Sequence, residues 1–86
     1  MDTIGENMIS STALEYYNNA ADEEWRNPGD YERIFRKYHV AALLGNRDAM
    51  LHVSMAYESG VGVLKSSRLA LFWRSKAFKD GKSDLA

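Results

Sequence analysis

The 86-residue chain contains no cysteine, a single proline and only two histidines. Without cysteine it can form neither a disulfide framework nor a thiolate zinc site, which is compatible with a reducing compartment. No apolar run approaches the ~20 residues that a membrane-spanning helix needs. The first 25 residues hold six acids and no base, the opposite of a secretory or mitochondrial leader. We therefore expect a cytoplasmic protein with no membrane partner.

Residue patterns typical of catalysis are also missing. Neither His39 nor His52 is followed, three or four positions later, by a second metal ligand or catalytic base. The run from Gly60 to Ser66 resembles a phosphate loop, but Leu64 stands where glycine must precede Lys-Ser, and a helix precedes the run instead of a strand. We therefore predict a chain with no catalytic residues, no cofactor and no metal site.

Helical periodicity fills the stretches between the few breaks in the chain. Proline disfavours a helical residue before it and glycine accepts turn conformations, so Pro28-Gly29, Gly45 and Gly60 mark these breaks. The pattern predicts one small all-α domain, residues 1–86, with four main helices. The predicted helices run from a capping box near residues 10–12 to Trp25, from Tyr31 to Leu44, from Arg47 to Ser59, and from Ser66 or Ser67 to about Asp80, with residues 1–7 frayed or capping.

Each predicted helix has one apolar face at helical spacing. Asp30 and Asn46 precede the second and third helices as N-caps. Small residues recur on these faces where two helices must approach closely, which favours helical hairpins. The residues predicted to face inward are Ile9, Leu14, Tyr17, Ala20 and Ala21; then Tyr31, Ile34, Phe35, Tyr38, Ala41 and Ala42; then Ala49, Met50, Val53, Ala56 and Tyr57; and finally Ala70, Leu71, Trp73, Ala77 and Phe78.

The chain matches itself when it is shifted by 36 residues. Identical pairs are Ala13 with Ala49, Ala20 with Ala56, Ala41 with Ala77, and Gly45 with Gly81, and no gap is needed. Self-similarity at a fixed period is typical of repeat proteins, in which each unit needs a neighbour to cover its apolar faces. The match predicts two units, at about residues 13–48 and 49–84.

The second unit resembles the Sel-one-like repeat (SLR), a relative of the tetratricopeptide repeat. The residues that carry the resemblance are Ala49, Val53 and Tyr57, then Gly60-x-Gly62-Val63, then Ala70-x-x-Trp73-x-x-Lys76-Ala77, and Gly81. The first unit departs from the pattern, since Glu24 and Arg26 replace the turn glycines and Lys37 replaces the tryptophan. The resemblance implies a right-handed stack of two antiparallel helical hairpins.

The resemblance also implies a non-catalytic protein-interaction module, an adaptor, scaffold, regulator or neutraliser of a larger partner. Such a module would grip a protein or peptide on the face lined by the first helix of each hairpin. Aromatic anchors, polar hydrogen bonders and an adaptable methionine on a rigid surface suit such recognition. The residues predicted to bind the partner are Tyr16, Asn19 and Glu23 in the first hairpin and His52, Met55 and Ser59 in the second.

Two alternatives stay open at this point. The acidic first 25 residues and the basic residues 65–86 make the chain electrically polar, which would allow copies to stack end to end as a homo-oligomer. Exposed apolar residues on the second and fourth helices form a possible outer contact patch: Val40, Leu43, Leu69 and Phe72. The less favoured alternative is a nucleic-acid-binding protein that uses the basic C-terminal helix, with Lys76 and Lys79.

Overall fold

The computed structural model describes the backbone of residues 2–79 and the side chains of residues 12–79. This part of the chain contains four helices and no strand, which confirms the predicted all-α class. The helices are α1 (Asp2–Arg26), α2 (Tyr31–Leu43), α3 (Arg47–Ser59) and α4 (Ser67–Lys79). α1 includes the residues 2–7 that the sequence predicts to fray or cap, while the predicted inward side chain of Ile9 and the residues after Lys79 lie outside the described part.

The ends of α2, α3 and α4 lie within one or two residues of their predicted positions, and local capping explains most of them. Asn46 caps α3, because its side-chain oxygen accepts a hydrogen bond from the amide of Ala49 at 2.8 Å. Ser66 caps α4 in the same way by accepting from the amide of Leu69 at 3.1 Å. Asp30 occupies the N-cap position of α2, but its side chain makes no capping hydrogen bond to the first turn of that helix.

The helices pack mainly on their neighbours in the sequence, α1 on α2, α2 on α3 and α3 on α4. The resulting array is flat, with principal dimensions of 43 × 30 × 17 Å. The core lies between consecutive helices and contains Ala20, Ile34, Phe35, Tyr38, Ala41, Ala42, Ala49, Met50, Val53, Trp73 and Ala77. Ser54 is also fully buried, and its hydroxyl donates to the backbone carbonyl of Ala70 at 2.8 Å, which ties α3 to α4.

The two hairpins differ in how their first helices pack. Ala49 is fully buried, whereas Ala13, its counterpart 36 residues earlier, is half-buried. Ser54 is buried against α4, whereas its counterpart Asn18 is exposed. The physical reason is the number of neighbours: α3 packs extensively against both α2 and α4, while the described part of the chain packs α1 extensively against α2 alone. α1 therefore buries a narrower stripe, centred on Ala20.

Four residues predicted to face the core are exposed instead, the first of them Leu14 of α1. Tyr31 lies in the first turn of α2, at the edge of a cleft, and more than half of it is exposed. Leu71 and Phe78 of α4 are each about two thirds exposed, although the guanidinium of Arg47 from α3 lies over the Phe78 ring. Periodicity identified the apolar side of each helix correctly, but it does not show whether a neighbouring element covers all of that side.

Candidate binding cleft

A cleft of about 220 Å³ opens between α2 and α3, beside the C-terminal end of α1. α2 contributes four residues to its lining at helical spacing, and α3 contributes four more from its facing side. The loop after α3 closes one edge with Val61. The lining residues are Glu24, Pro28, Tyr31, Ile34, Phe35, Tyr38, His52, Met55, Ala56, Ser59 and Val61.

An aromatic stack forms one wall of the cleft. The rings of Tyr38 and His52 are almost parallel, with centroids 4.0 Å apart. Tyr17 of α1 packs against both, with centroids 5.8 Å from Tyr38 and 6.1 Å from His52. The Tyr38 hydroxyl donates to a carboxylate oxygen of Glu24 at 2.8 Å. Three helices therefore hold this wall in one geometry, so that it is formed before any ligand arrives.

Phe35 extends the apolar surface on the α2 side. Its ring meets Tyr57 of α3 edge to face at 5.4 Å and stacks on His39 at 5.3 Å. His39 in turn contacts the ring of Trp73 at 5.6 Å, which links α2 to α4. These contacts fix the ring of Phe35 and leave part of it lining the cleft.

Burial controls the charge of the cleft. It lowers the pKa of His52 below the ordinary 6.5, although the carboxylates of Glu24 and Asp48 act in the opposite direction. Burial also raises the pKa of Tyr38 well above its ordinary value, and the hydrogen bond to Glu24 adds to this effect. At neutral pH both aromatic groups are uncharged, and the one acidic side chain among the residues that line the cleft is Glu24.

No family model matches this chain, and no curated protein or solved structure matches it either. Residues 12–79 contain no group of three or more histidine, cysteine, aspartate or glutamate side chains placed to hold a metal ion. None of the helices in the described chain combines the length and the apolar character needed to cross a bilayer.

The structure divides the six residues predicted to bind a partner between two places. His52, Met55 and Ser59 all line the cleft. Tyr16 and Asn19 instead line a separate depression together with basic residues of α2. The Asn19 side-chain oxygen accepts a hydrogen bond from Lys37 at 3.1 Å, so this depression is already bridged by polar contacts.

Glu23 also faces α2. Its carboxylate lies 3.3 Å from the ammonium of Lys37 and 3.7 Å from the guanidinium of Arg33. The hydrogen bond that the Asn27 amide donates, at 2.8 Å, is the main reason that the pKa of Glu23 lies below its ordinary value, and Lys37 and Arg33 add to it. From α1, the cleft receives Glu24 instead of Glu23.

The sequence reasoning missed the whole α2 side of the cleft. Tyr31, Ile34, Phe35 and Tyr38 have the spacing of a core face, and a cleft wall requires the same spacing. One available signal was the aromatic pair Tyr31 and Tyr38, because the second unit has a serine and an arginine at the corresponding positions.

The predicted outer contact patch is exposed in most of its members. Val40, Leu43 and Phe72 are exposed and Leu69 is half-buried. Val40 lines the depression beside Tyr16, and Phe72 packs its ring against Trp73 at 5.4 Å. The binding role of these four residues stays a prediction.

Proposed function

We propose that this chain is a non-catalytic protein-interaction module whose cleft receives an apolar side chain of a peptide or protein partner. The observation that carries the proposal is the cleft itself, because a preformed apolar surface with a single acidic side chain at its edge can anchor one side chain. Its volume of about 220 Å³ is below the roughly 300–1,000 Å³ of pockets that enclose small-molecule ligands. A single anchoring residue fits this space better than a whole metabolite.

The charge of the cleft favours a particular kind of partner. Glu24 lies at one edge and no basic residue lines the space. A partner that carries lysine or arginine next to its apolar anchor would place the positive charge near the Glu24 carboxylate. Met55 is exposed at the rim, and its flexible thioether can adapt to anchors of different shapes. The sequence pattern supports a more specific version of this proposal, in which the protein is an SLR-like adaptor that acts in the cytoplasm.

A peptide library displayed on phage tests the proposal without knowledge of the partner. Selection against the protein should enrich peptides that combine an apolar residue with an adjacent basic one. An enriched peptide should then bind the Met55→Lys variant at least about tenfold more weakly, which corresponds to about 1.4 kcal/mol, because the ammonium removes an apolar contact at the rim and repels the basic residue of the peptide.

Leu43→Lys is the matched control, because Leu43 is an exposed apolar residue of α2 that does not line the cleft. Equal binding to wild type and Met55→Lys would show that the cleft is not the site. Loss of binding in Leu43→Lys alone would assign recognition to the outer patch of Val40, Leu43, Leu69 and Phe72.

A further inference from the structure

α4 presents an apolar stripe to solvent, which we call the α4 face. Leu71 and Phe78 are seven residues apart, so they lie on the same side of the helix, and they are 65% and 66% exposed. Arg74 lies between them and forms an ion pair with Glu58 at 3.2 Å. Arg68 and Lys79 are exposed at the edge of the stripe, and α4 as a whole contains four basic residues and no acidic one.

α1 presents a second stripe, the α1 face. Leu14 and Trp25 are eleven residues apart, which is three helical turns, and they are 36% and 84% exposed. Glu15 and Asp22 are exposed beside this stripe. Asp22 forms an ion pair with Arg26 at 3.0 Å, which leaves Glu15 as an acid on this side with no ion pair to a described residue.

The internal repeat indicates that the α4 face is shaped to receive a helix. Leu71 corresponds to Phe35 and Phe78 corresponds to Ala42, each 36 residues earlier. Phe35 packs against Tyr57 of α3, and Ala42 is fully buried. The equivalent positions on α4 stay mostly exposed, although the guanidinium of Arg47 from α3 lies 5.2 Å from the centre of the Phe78 ring.

We propose that the α4 face of one molecule packs on the α1 face of a second copy, so that the protein associates head to tail. Charge complementarity selects this occupant: an apolar stripe edged by Arg68 and Lys79 meets an apolar stripe edged by Glu15 and Asp22. Each copy carries one face of each kind. The contact is heterologous, so assembly continues beyond a dimer unless the geometry closes a ring.

A contact between single helix faces lies at the small end of protein interfaces, so the association is weak and depends on concentration. Sedimentation equilibrium should show an average mass that rises with protein concentration. The rise should be smaller at about 1 M salt than at about 0.1 M salt, since the Debye length falls from about 10 Å to about 3 Å. A mass equal to one chain at every concentration and both salt levels would overturn the proposal.

Charge reversal on each face provides the decisive experiment. Variant one carries Arg68→Glu and Lys79→Glu on the α4 face, and variant two carries Glu15→Lys and Asp22→Lys on the α1 face. Each variant alone should remain monomeric, because it then has like charges on both faces. An equimolar mixture should regain the mass increase, since the acidic α4 face of one variant can pack on the basic α1 face of the other.

The mixture also guards against misfolding, because a variant that has lost its fold cannot be rescued by the other. Arg36→Glu with Lys65→Glu is the control, with the same change in net charge as variant one placed outside both faces. This control should associate like wild type. Monomers in the mixture, or loss of association in this control, would each refute head-to-tail packing. Neither face contains Met55, which lines the cleft. A negative result in the association experiments would therefore not affect the peptide-binding proposal, which the peptide-binding experiment tests separately.

Discussion

Replacing Gly62 by alanine should destabilise this protein more than the same change at either of two other loop glycines. Gly62 has a φ of +76°, a conformation that L-residues rarely adopt. A Cβ placed on it would collide with the backbone carbonyl of Tyr31 and lie 3.2 Å from Cβ of Phe35. The loop after α3 therefore touches the start of α2, and only a residue without a side chain allows that approach.

Two other glycines separate the backbone effect from the steric one. Gly45 has a φ of +103°, but no described atom lies within 4 Å of the position that its Cβ would take. Gly45→Ala should therefore cost only the strain of a positive φ, about 1–2 kcal/mol. Gly29 has neither a positive φ nor a described atom within 4 Å of that position, so Gly29→Ala should be neutral or stabilise by up to about 1 kcal/mol.

Gly62→Ala combines the positive-φ strain with the displacement of two packed segments. Overpacking adds about 1–3 kcal/mol to the strain, so the total loss is about 2–5 kcal/mol. Each kcal/mol lowers Tm by about 4–8 °C in a domain of this size. Thermal unfolding followed by circular dichroism should therefore show a loss of at least about 8 °C in Tm for Gly62→Ala and of roughly 4–16 °C for Gly45→Ala. If Gly62→Ala melts no lower than Gly45→Ala, the close approach of the loop to α2 is wrong.

Further tests address the core and the cleft. Ser54→Ala should lower the free energy of unfolding by about 0.5–1.5 kcal/mol in urea, since it removes the hydrogen bond to Ala70, and Ser75→Ala on α4 should change it less. Because burial lowers the pKa of His52, the unfolded chain binds the extra proton more readily, so stability should fall as pH drops below about 6.5. A His52→Phe variant should show a smaller fall over that range, and an unchanged pH profile would contradict the role assigned to His52. The weaker peptide binding of Met55→Lys and the mass recovery of the charge-reversed mixture are the other two expected outcomes.

The ends of α2 and α3 were the most predictable part of the fold, because capping is a local property, whereas α1 begins at Asp2 and not at the predicted capping box near residues 10–12. α3 begins and ends at the residues predicted from Asn46 and Gly60, since each supplies its own hydrogen bond or backbone conformation. The exposure of Leu71 and Phe78 was not predictable in the same way. Helical periodicity shows which side of α4 is apolar, but burial of that side depends on a neighbour that the residues of α4 do not specify.

The cleft was predictable only on the α3 side. His52, Met55 and Ser59 share one flank of one helix, so their spacing alone places them together. Joining them to Tyr16, Asn19 and Glu23 assumed that α1 and α3 present corresponding faces to the same space. That assumption depends on the rotation of α1 about its own axis, which its contacts with α2 set, including the ion pair of Glu23 with Lys37.

The thinness of the molecule affects how it comes apart. At 17 Å in its shortest dimension, the array is less than two helix diameters thick. Each helix is therefore held in place mainly by its contacts with the helices next to it in the sequence. α3, held on two sides and tied to α4 through Ser54, opens only with the whole domain. α1 can separate from the array first, and its separation removes Tyr17 from the aromatic wall that it forms with Tyr38 and His52. A ligand bound against that wall would therefore stabilise the whole array, because it would hold α1 against the other helices.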